Sequence, residues 1–88
     1  MQQQPADRKK QDRLTLDSIL SCMVESGKIY AGAFKKHWRS LQPYINLKRL
    51  EHFLRARCVK LTKKAYSYIA KVDKTLAREL SPDLILKS

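Results

Sequence analysis

From Leu47 to Leu80 the sequence contains neither glycine nor proline, and this run of 34 residues constrains the fold more than any other feature. Apolar or small residues recur along it at Leu47, Leu50, Leu54, Cys58, Leu61, Ala65, Ile69, Val72, Leu76 and Leu80. Their mean spacing is about 3.7 residues, close to the repeat of a straight α-helix. The phase holds through residues 58–62, so the spacing predicts one long helix, on the order of 50 Å from end to end. The alternative is a break within CVKLT (58–62), where Thr62 would cap a separate helix.

Upstream, Pro5, Gly27, Gly32 and Pro43 punctuate the chain, and no Asn-Gly or Asp-Gly turn lies between alternating runs, so no hairpin is predicted. A first helix is expected from Thr15 or Asp17 to Ser26, with Leu16, Ile19, Leu20, Met23 and Val24 on one side and Gly27 closing its end. A second, Lys28 to Leu41, would bury Ile29, Tyr30, Ala33, Phe34, Trp38 and Leu41 before Pro43 stops it. Asn46 is a suitable cap for the long helix. Ser81-Pro82-Asp83 should begin a short turn that folds Leu84, Ile85 and Leu86 back on the core. The expected architecture is therefore all-α, with two short helices packed on one long basic C-terminal helix. Residues 14–88 form the single helical domain, and residues 1–13, with Arg8, Lys9, Lys10 and Arg13, form a flexible basic arm. So long a helix has more apolar stripe than two short partners can cover, which predicts a homodimer.

Charge is concentrated in the middle of the chain. Between Lys28 and Arg78 there are 14 Lys and Arg against two acids, Glu51 and Asp73, a net +12 within a whole-chain charge of +11. On the long helix, Arg49, Lys60, Lys63, Lys64, Lys71, Lys74 and Arg78 would fall within about 100° of arc opposite the apolar set, with Arg57 at its edge. That is a cationic stripe about 44 Å long with no carboxylate in it. Solvated helix faces normally mix signs and gain i,i+4 pairing, whereas Lys60/Lys64 and Lys71/Lys74 forgo it at a cost of a few tenths of a kcal/mol each. A polyanion would remove that cost and release counterions. Lys35, Lys36 and Arg39 add a second cluster on the polar side of the second helix, while Trp38 turns inward. Glu51 is spaced to pair with Arg55, and Asp73 and Glu79 would mark helix–helix contacts. Tyr44 and Tyr66 are the aromatic candidates for touching a sugar or base.

Catalytic and metal chemistry find no frame here. The sequence lacks a phosphate-cradling glycine loop, HExxH and GxSxG, and His37, His52, Cys22 and Cys58 have no zinc-site spacing. Cys22 and Cys58, each among apolar neighbours, read as small core residues, and two cysteines outside any CxxC frame point to a reducing intracellular setting, in cytoplasm, nucleoid or nucleus. No apolar run is long enough for a signal peptide or a membrane span, so no membrane partner, no metal and no cofactor are expected. The function expected is non-enzymatic binding of a nucleic-acid duplex, RNA or DNA, by its phosphates with little sequence readout. Straight helices lying along the shallow surface of A-form RNA favour double-stranded RNA. A helix-turn-helix, with 62–72 as recognition helix, follows if the chain breaks at 58–62. In size, helicity and charge the chain resembles the small all-helical RNA-silencing suppressors of insect viruses, a likeness that implies a dimer gripping one face of double-stranded RNA and that no motif carries residue by residue. The rival class is a small basic regulator, of phage, plasmid or viral type, that occupies an acidic surface on a host protein.

Overall fold

Cys58 divides the Gly- and Pro-free run. The computed structural model describes residues 16–87; the expected basic arm, 1–13, lies outside them. Helix α3 spans Leu47–Arg57 and ends at Cys58, whose φ of 55° and ψ of 43° put it in the left-handed region. The Val59 amide donates to the Leu54 carbonyl at 3.0 Å and the Cys58 amide to Arg55 at 3.3 Å. This is the Schellman closure, normally made with glycine at the left-handed position. Val59 and Leu54, the positions whose apolar contact often accompanies this motif, are both buried. Val59, outside the 3.7-residue series, takes the core position expected of Cys58, and Cys58 turns to solvent.

The chain then runs extended as β3, Lys60–Leu61, before α4, Lys63–Val72, and α5, Lys74–Glu79. Thr62 caps α4 by accepting from the Ala65 amide at 3.1 Å, and Asp73 caps α5 by accepting from Leu76 at 3.1 Å. The predicted long helix is thus three helices and a strand. Two of its apolar positions, Cys58 and Val72, are exposed, while Leu50, Leu54, Leu61, Ala65, Ile69, Leu76 and Leu80 are buried in one core spread over these elements.

The first part of the chain also differs from expectation. Residues 16–22 are helical (α1), but the chain then forms a hairpin of β1, Val24–Glu25, and β2, Lys28–Ile29. Ser26 and Gly27 both have positive φ, 56° and 75°, as the tightest two-residue hairpin turns require. Ser-Gly therefore serves as the turn in place of Asn-Gly, and Gly27 closes a hairpin instead of a helix. Val24 pairs with Ile29 and Glu25 with Lys28, antiparallel; Lys28 pairs with Lys60 and Ile29 with Leu61, parallel. Parallel pairing needs a long crossover, and residues 30–59, with α2 (Ala31–Leu41) and α3, supply it. Leu61 also bridges to Ile85, so β3 is covered on its outer side by the C-terminal segment. Asn46 caps α3 as expected, accepting from Arg49 at 2.9 Å, and Pro82 opens a 3-10 turn, Pro82–Leu84.

The fold is mostly helical with a small three-stranded sheet, not two short helices on one long helix. Two readings lose their physical basis with the rod. Among the described residues the exposed large hydrophobics are Tyr30 and Val72 alone, so no surplus apolar stripe argues for a dimer. The likeness to RNA-gripping helical dimers, built on straight helices, loses its support in the same way.

A substitution at the break tests this architecture. Glycine removes the cost of a left-handed side-chain-bearing residue, so Cys58→Gly should raise unfolding stability by roughly 0.5–1 kcal/mol in a urea titration. In a continuous helix the same change would lower it by about 1 kcal/mol.

A cationic cleft between two helix N-termini

Helices α2 and α4 pack along each other, burying Phe34, Ala65 and Ile69. Their starts are held together by Thr62. Its amide and its hydroxyl both donate to the Ile29 carbonyl, each at 3.0 Å, while the hydroxyl oxygen accepts from Ala65. Ile29 lies two residues before α2 and Thr62 one residue before α4, so both helices open beside one another.

Beside this seam lie two neighbouring hollows, which together make a cleft. One is bounded by Lys28, Tyr30, Ala31, Gly32, Thr62, Lys63, Lys64 and Leu86. The other is bounded by Ala31, Lys35, Lys64, Ser67, Tyr68 and Lys71. They share Ala31 and Lys64, and together they gather five lysines and no carboxylate. Lys64, Ser67 and Lys71 lie at i, i+3 and i+7 on the exposed side of α4. Lys35 faces them from α2, with its Nζ 5.9 Å from the Tyr68 ring centroid. That ring is itself fixed edge-on against Trp38, centroids 6.2 Å apart and planes at 85°. Trp38, expected in the core, is only half-buried and stacks its ring edge-on with Tyr68 at the helix surface instead.

The helix starts add to the positive field. Neither α2 nor α4 has an acid in its first turn, and α4 begins with Lys63 and Lys64 where the dipole favours anions. At α2 the cap position is Tyr30, which makes no side-chain cap hydrogen bond. Serine, aspartate or asparagine would ordinarily stand there. The helix dipoles and the lysines thus add positive potential of the same sign along this seam.

All eleven expected binding residues are exposed, but they do not form one ribbon. Lys35, Lys63, Lys64 and Lys71 meet at the cleft. Lys36 and Arg39 lie on α2 outside it. Arg49 and Arg57 border a different hollow with Lys48, His52 and Asp17, and the Arg57 guanidinium sits 4.9 Å from the Phe53 ring centroid. Lys60 borders a third hollow, beside Arg55 and Asp83. Lys74 and Arg78 belong to α5.

Sequence reasoning missed Lys28 and Tyr30. Tyr30 was expected in the core and is 40% exposed. The available signal was KIYAGA, a helix start with no capping side chain ahead of it. Tyr44 and Tyr66 are half-buried, and the Tyr66 hydroxyl donates to the Ala77 carbonyl at 3.1 Å, tying α4 to α5.

The acids are structural in ways the spacing did not reveal. Glu51 accepts from the Ser81 amide at 2.8 Å rather than pairing with Arg55, which instead meets Asp83 at 3.0 Å. With both side chains more than half exposed, that ion pair contributes little. Asp73 serves as a helix cap, and Glu79 is exposed. α4 packs chiefly on α2 and α5, not on the preceding α3, which removes the packing that a helix-turn-helix with α4 as recognition helix would have.

Among the described residues no three His, Cys, Asp or Glu side chains gather as a metal site, and no helix is long and apolar enough to cross a membrane. No family model, curated protein or solved structure matches the chain.

Thr62 is the hinge of this geometry, and its replacement is informative. Thr62→Val keeps the shape but loses the cap and the hydroxyl bond to Ile29, so it should cost about 1–2 kcal/mol. The thermal midpoint should fall by roughly 5 °C or more, while Thr62→Ser should lose much less. Equal midpoints for Val and Ser would show that the hydroxyl plays no such part.

Proposed function

We propose that this chain is a non-enzymatic nucleic-acid-binding protein that holds the phosphate backbone in the cleft between α2 and α4. The observation that carries this reading is the convergence of Lys28, Lys35, Lys63, Lys64 and Lys71 on two helix starts without a carboxylate among them. Such an arrangement costs self-repulsion in the free protein, which a bound polyanion relieves. Backbone contacts of this kind carry no sequence information, so little sequence preference is expected. The earlier preference for double-stranded RNA depended on a straight rod lying along the duplex, and the broken helix removes that reason.

A salt titration with paired variants tests the proposal. Affinity for a labelled nucleic acid of about 20 nucleotides should fall with a log–log slope of about −3 as salt rises, the slope expected for roughly four neutralised phosphates. Lys64→Glu/Lys71→Glu should weaken binding to all sequences alike, by more than roughly tenfold. Arg49→Glu/Arg57→Glu, on another surface, should change it about twofold or less. If no RNA or DNA binds at about 50 mM salt while a polyglutamate probe does, the rival reading, an acidic protein surface as target, replaces this one.

A further inference from the structure

On the reading that the cleft binds nucleic acid, we infer that its ligand is a single strand and that Tyr30 supplies a stacking face for one of its bases. The first argument is shape. Lys35 reaches the cleft from α2, and Lys64 and Lys71 reach it from α4, with Ala31, Ser67 and Tyr68 between them. Packed helices have axes about 8–10 Å apart, so a cleft between two of them is narrower than a double helix, whose major groove alone is about 12 Å wide. A single backbone can lie within it and meet cations from both banks, whereas a duplex would touch only the rims. Lys64 and Lys71 are about 10 Å apart along the helix, the rise of about three stacked nucleotides.

The second argument is the aromatic. Tyr30 is 40% exposed, one of two large apolar side chains left in solvent among the described residues. It stands at the start of α2 on the wall that also carries Lys28, Lys63 and Lys64. A base in a duplex has both faces covered by its neighbours, while an unpaired base can turn one face to an aromatic ring beside its own phosphate. A positive channel with an exposed ring along it is the usual combination for single strands.

The test measures anisotropy of one mixed-sequence RNA strand of about 20 nucleotides, alone and annealed to its complement, at one low salt concentration. The single strand should bind at least roughly fivefold more tightly than the duplex. Tyr30→Ala should weaken single-strand binding by roughly tenfold, and Tyr30→Phe, which keeps the ring, by about twofold or less. Circular dichroism of the Tyr30 variants, altered at an exposed position, should match wild type. Equal or tighter binding of the duplex overturns the inference but leaves the nucleic-acid reading standing. Wild-type affinity in a folded Tyr30→Ala protein overturns the stacking role. Failure of single strand and duplex to bind, as RNA and equally as DNA of the same sequence, defeats the underlying reading itself.

Discussion

Two hydrogen bonds from Thr62 to the Ile29 carbonyl organise this molecule. They fasten the segment after α3 to the strand before α2, and the Thr62 oxygen then caps α4. Because Ile29 and Leu61 pair in parallel at the same point, the chain cannot continue α3 along its own axis. It must turn at Cys58, run extended for two residues, and start a new helix beside α2. The turn stores some strain in a left-handed cysteine, of order 1–2 kcal/mol. Burial of Val59, Leu61, Ala65 and Ile69 against the rest of the core offsets it. One anchoring point thus sets both the packing and the place where two positive helix ends meet.

That meeting point is electrostatically unfavourable for a protein on its own. Lysines at the first positions of α4 oppose the helix dipole, and α2 starts without a capping side chain. Each omission costs a few tenths to about one kcal/mol, and together they are a sizeable part of the stability of a small domain. The chain caps α3, α4 and α5 with side chains, at Asn46, Thr62 and Asp73, and leaves α2 without one. The uncapped start of α2 and the lysines at the start of α4 are the features on which the proposed binding role rests. Local rules tend to be broken where a protein binds something.

Much of the fold was legible in the residues. Pro43, Asn46 and Pro82 mark boundaries that the structure keeps, and most of the periodic apolar positions are core. The break was hidden for a physical reason. Leu61 is buried from a strand at the position where a continuing helix would also have buried it, so the periodicity ran unbroken across a change of backbone conformation. No glycine marked the left-handed residue, and Thr62 looked equally like a helical residue or a cap. The hairpin was missed because Ser-Gly, not Asn-Gly, makes the turn. For the site, the type of charge could be read but its grouping could not. Lys35, Lys63, Lys64 and Lys71 come together through the α2–α4 packing, which is a tertiary fact. Lys28 joins them through a strand pairing across more than thirty residues.

The central claim is that the chain turns at Cys58 and docks Thr62 on Ile29, and nuclear Overhauser contacts in the labelled protein test it most directly. The account predicts cross-strand contacts linking Lys28 with Lys60 and Ile29 with Leu61, together with a slowly exchanging Thr62 amide. Unbroken sequential amide–amide contacts and helical shifts from Leu47 to Leu80, without those cross-strand signals, would contradict it.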